Sequence, residues 1–223
     1  MDISGAASSA DSHKKRIVVI GPPGAGKGTQ AKLLAARYSV PHVSTGDLLR
    51  EHVGTNDHIG RDVQFLMDSG NLVPDEIVVG LIKDYIEGGS FIFDGFPRTV
   101  KQAETLDAIL GSLGMKLDKV VYVTIQDEII VARMSGRQTC ADCGAIYNRE
   151  HNPSLKEGLC NICGGLLRVR DDDSAPVVKR RLNTYHALTE PIIDYYRRKG
   201  LVYEISGLGQ IDEITARIAA ELD

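Results

Sequence analysis

Apolar runs and amphipathic stretches alternate along most of this chain. Arg16-Ile17-Val18-Val19-Ile20 is a short, nearly unbroken apolar run, the pattern of a strand buried on both faces. Thr29 to Tyr38 (TQAKLLAARY) sets its Leu and Ala at helical spacing, and Ser44-Thr45-Gly46-Asp47 reads as a helix start ahead of Leu48-Leu49-Arg50. Val63 to Asp68 is a short amphipathic piece stopped by Gly70; Pro74-Asp75-Glu76 opens a helix that runs to Glu87 and ends at Gly88-Gly89. Phe91-Ile92-Phe93 predicts a second buried strand, Thr99 to Leu110 a helix, and Val120 to Ile125 a further strand. Asp127 is expected to cap a helix reaching Ser135. Ala175 to Arg198 is helical with a break near Pro191, where the ring removes a hydrogen bond and collides with the preceding turn. Leu201 to Ile205 predicts a strand and Ile211 to Leu222 a last helix.

Such alternation predicts an α/β fold, a parallel sheet covered by helices on both faces. Two segments interrupt it. One is a helical insert from Ser44 to Val73. The other, Gly136 to Asp173, holds all four cysteines and shows little periodicity of either kind, which marks a functional lid or a metal-held module.

Composition narrows the function. The chain has 223 residues, enough for one or two domains with a sizeable core. Its formal net charge is −4. With that balance there is no global field for nucleic acid, and any phosphate binding must be local. No stretch approaches the ~18 apolar residues of a membrane span. The first fifteen residues are small and polar without an apolar region, so a loose tail and a cytoplasmic protein are expected. Four cysteines then point to metal or redox chemistry rather than to structural disulfides.

Gly21-Pro22-Pro23-Gly24-Ala25-Gly26-Lys27-Gly28-Thr29 follows the first strand and opens the first helix. Strand, glycine-rich loop and helix in that order make a phosphate cradle: backbone N–H groups turn inward, the helix N-terminus adds partial positive charge, and Lys27 adds a mobile full one. The position after the lysine ordinarily carries a magnesium-binding hydroxyl; here it is Gly28, with Thr29 one later, so magnesium is expected to be held mostly by phosphates and water. No Asn-Lys-x-Asp guanine reader occurs, which counts against a signalling GTPase. A second cluster, Asp94-Gly95-Phe96-Pro97-Arg98, ends the second buried strand and so arrives at the cleft edge of an open sheet. Arg98 can fork onto a phosphate. Gln102, four residues on, shares its helix face and has an amide suited to a base edge.

Cys140-x2-Cys143 and Cys160-x2-Cys163 lie sixteen residues apart, inside the spacing of a four-thiolate zinc site. Gly144 and Gly164 after each pair let amides turn toward the sulfurs. His151 lies within the loop, but four thiolates already complete a tetrahedron. A closed, all-protein set argues for structural zinc that staples a segment with too few large apolar residues to fold alone.

The segments GPPGAGKGTQ, STGDLLR, GNLVPDE, FIFDGFPRTVKQ, ARMSGR, RVRDDD and KRRL closely resemble adenylate kinase, in its zinc-bearing long-lid form. The resemblance runs from Ile17 to the end of the chain. It implies a phosphate-loop nucleoside monophosphate kinase core with a five-stranded parallel sheet (16–43, 74–135 and 174–223), an AMP-binding insert (44–73), a zinc-bearing lid (136–173) and a disordered tail (1–15). It implies that Gly24, Ala25, Gly26, Lys27, Gly28 and Thr29 bind ATP phosphates with Arg133 and Arg137, while Ile146, Tyr147 and Gly209 flank the donor adenine and ribose. AMP would be held by Thr45, Arg50, Asn71, Leu72, Val73, Gly95, Phe96, Pro97, Arg98 and Gln102, with Arg170 and Arg181 holding AMP and the transferring group. Lys27, Arg98, Arg133, Arg137, Arg170 and Arg181 would supply catalytic charge, and Asp94 would orient the water shell of Mg²⁺.

The residues lend this their own support. Arg133 and Arg137 are four apart on one predicted helix and so are expected to project together. Arg170 precedes a helix start and Arg181 lies in its second or third turn. Asp171-Asp172-Asp173 is read as hinge capping and charge balance for the arginines rather than as direct catalysis. The implied partners are ATP, AMP and ADP, with a monomeric chain and no nucleic-acid or membrane partner. A zinc-ribbon binding module and a non-kinase ATPase are the readings from other classes; neither needs Asp94 to Arg98 with Gln102. A GTP:AMP phosphotransferase is the alternative within the enzyme class.

Overall fold

A computed structural model describes residues 14–53 and 58–223. The tail expected over 1–15 therefore falls, up to residue 13, outside the described residues, as do residues 54–57 of the expected insert. Five strands form the main sheet: β1 (Arg16–Ile20), β2 (His42–Ser44), β3 (Phe91–Asp94), β4 (Lys119–Thr124) and β8 (Val202–Ser206), in the spatial order β2-β3-β1-β4-β8. Every pairing is parallel, with Val18 opposite Phe93 on one side and Val120 on the other. From β1 the chain goes to the edge strand β2, fills in β3 between them, and then crosses to β4 and β8 on the other side, so a crevice opens beyond the carboxyl ends of β1, β3 and β4.

Alternation along β1 supplies both faces of the core. Val18 and Ile20 join Phe91, Phe93 and Val120 under Val78, Ile82 and Ile86 of α4 (Asp75–Glu87), Leu106 and Leu110 of α5 (Val100–Ser112), and Ile192, Ile193 and Tyr196 of α8 (Pro191–Arg197). Ile17 and Val19 join Ile92, Val121, Val123 and Ile205 under Leu34 of α1 (Lys27–Tyr38) and Ile214, Ile218 and Leu222 of α9 (Ile211–Leu222). Burying each such side chain stabilises the fold by about 1.5–3 kcal/mol before entropy is counted. At the amino ends of the strands α1 and α9 finish side by side: the Tyr38 hydroxyl donates to Asp223 Oδ1 at 2.7 Å and Lys15 Nζ donates to Leu222 O.

Between β2 and α4 lie α2 (Thr45–Val53) and α3 (His58–Asp68). After α6 (Asp127–Ser135) comes a separate antiparallel sheet of β5 (Arg137–Cys140), β6 (Ile146–Asn148) and β7 (Leu167–Arg168), in the order β6-β5-β7. A 3₁₀ turn over Asp171–Asp173 leads into α7 (Ala175–Thr184), a π-turn (Tyr185–Thr189) and then α8.

Three expectations need correction. Asp127 does not cap α6; Gln126 holds the cap position and Asp127 is the first helical residue, where its charge favours the helix dipole. Arg133 and Arg137 do not share a helix, because Gly136 terminates α6 and Arg137 opens β5. The break expected near Pro191 begins earlier, at Tyr185, and Pro191 itself opens α8, the position where a proline's missing N–H costs nothing.

Candidate active site

The glycine-rich loop crosses the crevice directly after β1. Gly26 holds φ +96 immediately before α1, a conformation only glycine adopts without strain. The first turn of α1 has no side-chain cap and no acidic residue, so its positive end is left for an anion. Lys27 folds back over the loop, with Nζ donating to Pro22 O at 2.7 Å. Burial lowers its ammonium to a pKa of about 8, and the charges of Arg98, Arg181 and Arg137 push the same way against the attraction of Asp94. A Cβ at Gly28 would sit 3.0 Å from Asp94 Oδ2. The glycine thus leaves room for the carboxylate to lie over the cradle where a side chain would otherwise stand.

A cleft of about 590 Å³ opens beside the loop, between α2, the end of α3 and the segment after β3. Thr45, Arg50, Asn71, Leu72, Val73, Gly95, Arg98, Gln102 and Arg181 all line it. Thr45 is buried and donates to Gly95 O at 2.9 Å. Arg98 is held from two directions: its N–H donates to Gln102 Oε1 at 2.7 Å and its Nε to Gly95 O at 2.7 Å. The Gln102 amide also donates to Asp75 Oδ1 at 2.6 Å. Burial lowers the Arg98 pKa to about 10, with Arg181 the next cause. Phe96 does not face this cleft; its ring packs edge-on to Phe93 in the core. Pro97 lines a neighbouring cleft of about 550 Å³ with Lys27, Arg98 and Arg181. Leu49, Met67 and Val78, which the sequence reading did not single out, form an apolar wall of the first cleft. Leu49 and Val78 were visible only as ordinary core-facing helix positions.

The remaining arginines arrive from the hinge side. Arg137 pairs bidentately with Asp173, Nε to Oδ2 at 2.7 Å and Nη2 to Oδ1. Arg181 Nη1 reaches Asp172 Oδ2 at 2.8 Å and Asp173 Oδ1 at 3.5 Å. Burial alone would raise the Asp172 pKa, but Arg181 and its neighbours hold it below the ordinary value. These contacts fit charge balance by Asp172 and Asp173. Arg170 donates to Thr139 Oγ1 at 2.9 Å and lies 3.7 Å from Asp47, whose other partner is Arg50 at 2.6 Å. Burial lowers the Arg170 pKa to about 10. Arg133 stands apart: both terminal nitrogens donate to Gly207 O at 3.1 Å. Gly209 lies two residues along the same loop, at φ +116.

Ile146 reaches the phosphate loop, its Cδ1 lying 3.7 Å from where a Cβ on Gly28 would be. Tyr147 does not; it is buried against Cys140, Cys160 and Leu167. Its hydroxyl accepts from Asn161 N at 2.9 Å and meets Cys160 Sγ at 3.4 Å, and that bond is the largest cause holding the Cys160 thiol down to about 6. The four sulfurs lie within 4.8 Å of one another, with Cys140–Cys163 at 3.5 Å and Cys143–Cys160 at 3.6 Å. Those separations are far beyond a disulfide bond. They suit a tetrahedral zinc, whose ~2.3 Å bonds set sulfurs about 3.8 Å apart. Among the described residues no histidine joins this cluster.

The sheet order, and the loop that crosses it where the chain changes direction, place the protein among the phosphate-loop nucleoside monophosphate kinases. Residues 19–201 match the family described as adenylate kinase. A protein of Caldicellulosiruptor bescii named adenylate kinase is 47% identical over 211 residues, covering 93% of this chain and 98% of its own. Those so named from Streptomyces avermitilis (49% over 207 residues; 91% and 94%) and Thermodesulfovibrio yellowstonii (46% over 212 residues; 93% and 99%) are comparably similar. The chain belongs to the adenylate kinase family. Among the described residues, no helix is long and apolar enough to cross a membrane.

Proposed function

We propose that the protein transfers the terminal phosphoryl group of ATP to AMP, reversibly and with Mg²⁺, giving two ADP, as a cytoplasmic monomer that balances adenine nucleotides. The observation that carries this is that Arg98 and Arg181 line both clefts, with Lys27 beside them in the second. In-line transfer needs two phosphate chains held end to end, charge neutralised on the moving group and water excluded. The phosphate loop and Lys27 hold the donor, with Arg133 and Arg137; the loop Gly207–Gly209 lies beside its base. Thr45, Arg50, Arg98 and Gln102 hold AMP. Arg170 and Arg181 grip the transferring group as the lid, residues 136–173, closes. Magnesium neutralises phosphate charge when bound, and Asp94 over the loop orients its water. The test is a coupled assay with ATP or GTP as donor and AMP, CMP, UMP or GMP as acceptor. ATP with AMP is expected to be the best pair; preference for GTP would overturn the donor assignment, and another acceptor the AMP assignment.

Two expectations follow for single groups. Gln102→Ala is expected to raise the KM for AMP about tenfold and leave that for ATP within about twofold, because it removes binding at one site only. It also strands Asp75 and the Arg98 amide, so a loss of about 1–3 kcal/mol in stability accompanies it. An unchanged KM for AMP removes Gln102 from the site.

Lys27 makes nucleotide binding proton-linked. Incoming phosphates raise its depressed pKa, so ATP binding takes up protons near pH 8.5 and progressively fewer toward about pH 7, where the amine is already charged. Calorimetry in buffers of different ionisation enthalpy reads this uptake, and a flat profile contradicts it. The sign for stability is separate. Between about 8 and 10.5 the unfolded chain holds the proton and the folded one does not, so this lysine's contribution to stability rises with pH across that window.

A further inference from the structure

The helix that carries Arg181 does not continue regularly. At Tyr185 its ladder widens, and the Glu190 N–H bonds Tyr185 O at 2.9 Å, five residues back. Single π-turns of this kind are rare and concentrate at functional sites. Two threonines flank this one. At ~3.6 residues per turn, residues five apart on an α-helix point about 140° away from each other. The wider turn brings Thr184 and Thr189 back toward one side, and both line the cleft that holds Lys27, Arg98 and Arg181. Both hydroxyls are used there: Thr189 Oγ1 donates to Arg98 O at 2.9 Å, and Thr184 Oγ1 donates to Gly70 O at 3.3 Å. The neighbouring Arg180 Nε donates to Ser69 O at 2.9 Å.

These carbonyls belong to the two segments that bound the first cleft, the exit of the helical insert and the Asp94–Arg98 loop. One turn therefore fixes both segments to the element bearing Arg181. The need for such a tie is electrostatic. Arg98 and Arg181 are like charges, both half-buried and lining the same two clefts, and without phosphate between them they repel. The Arg98 amide is anchored to Gln102 in the first turn of α5 and its guanidinium to Gly95 of its own loop; its carbonyl is anchored across the cleft, to buried Thr189.

We propose that Thr189 is a positioning residue for the reaction: through the Arg98 carbonyl it sets the separation of Arg98 from Arg181, and so the grip on the acceptor phosphate and the transferring group. The inference rests on the AMP-site reading above. A displacement of about 1 Å in groups that align reactants can cost on the order of 100-fold in rate.

The test compares wild type, Thr189→Val and Thr189→Ser in full-chain kinetics with AMP and ATP varied separately. Valine keeps the shape and removes the donor. It is expected to lower kcat/KM for AMP by about tenfold and leave the KM for ATP within about twofold, while serine restores kcat/KM to within about threefold. In an Arg98→Ala background Thr189→Val should cost less than about twofold more, since a residue acting through Arg98 has nothing left to position. Should the valine protein fail to fold, Thr189→Cys, a weak donor of nearly serine shape, takes its place against serine. Unchanged kcat/KM for AMP, a KM for ATP raised as much as that for AMP, serine as impaired as valine, or a full additional loss beside Arg98→Ala would each overturn the proposal. Wild type that does not phosphorylate AMP overturns the reading it rests on instead.

Discussion

Arg98→Ala should lower kcat and kcat/KM together by about 10³–10⁵, the range over which a single arginine acts in related phosphoryl transfers. The side chain lines both clefts, at the point where the phosphate loop, the Asp94–Arg98 segment and Arg181 meet. It is half-buried before any nucleotide arrives, and that burial lowers its pKa to about 10. A preorganised cation in such a place stabilises charge that develops on the moving group without waiting for solvent to rearrange. Its loss affects the transition state more than the ground state, so kcat falls and not KM alone. Stability should move the other way from activity. Removing one of two crowded guanidiniums relieves repulsion, which offsets the lost Gly95 contact, and the melting temperature of the unliganded protein should stay level or rise. Near-normal turnover in the variant would remove Arg98 from its role, and a large fall in melting temperature would make it a structural residue.

Metal removal should give the second large effect, on the lid rather than on the chemistry. Its buried cluster is only Cys140, Tyr147, Cys160 and Leu167 with Ala145 against them. Leu155, Ile162, Leu166 and Val169 are exposed. So little apolar burial cannot offset the entropy of ordering the segment from Gly136 to Asp173. Zinc in isolated fingers contributes roughly 10–16 kcal/mol, of which only part reaches global stability here, because the lid can unfold while the five-stranded core stands. The expected result is one zinc per chain, and on chelation a lower melting temperature, rapid proteolysis within 136–173, retained sheet structure and some turnover at low temperature. Cys163→Asp should be tolerated, a carboxylate replacing one thiolate. The measurements are metal analysis, calorimetry and kinetics on both forms. Loss of all turnover at a temperature where the metal-free lid still resists protease would make the zinc catalytic.

The parts of the fold legible from the sequence are those where burial writes a period. β1 and β3 read clearly because both faces of each strand are covered, and α4 because Val78, Ile82 and Ile86 return every four residues. β2 was missed: His42-Val43-Ser44 is a three-residue edge strand with one buried side chain. The lid strands were missed for a related reason. Arg137-Gln138-Thr139 carries no apolar alternation, and only Cys140 at the end of that strand joins the small buried cluster with Tyr147 and Leu167. The cysteines themselves were readable because chelation depends on spacing along the chain. Spacing misled at Arg133 and Arg137, where a separation of four suggests one helix face only if no glycine intervenes. The expected break at Pro191 was visible, but not its form as a π-turn, which depends on where Thr184 and Thr189 find carbonyls on distant segments.

The contacts of Lys15 with Leu222 and of Tyr38 with Asp223 have a practical consequence. Both ends of the described chain emerge at the amino edge of the sheet, one sheet-length away from the nucleotide crevice at its carboxyl edge. A tag, a surface tether or a fused partner attached at Asp223, or directly before Lys14 in a shortened chain, therefore points away from the moving parts. Because the two ends are neighbours, a short flexible linker can join them and a new opening can be cut in an exposed loop. Such a permuted chain keeps every strand pairing of the sheet intact.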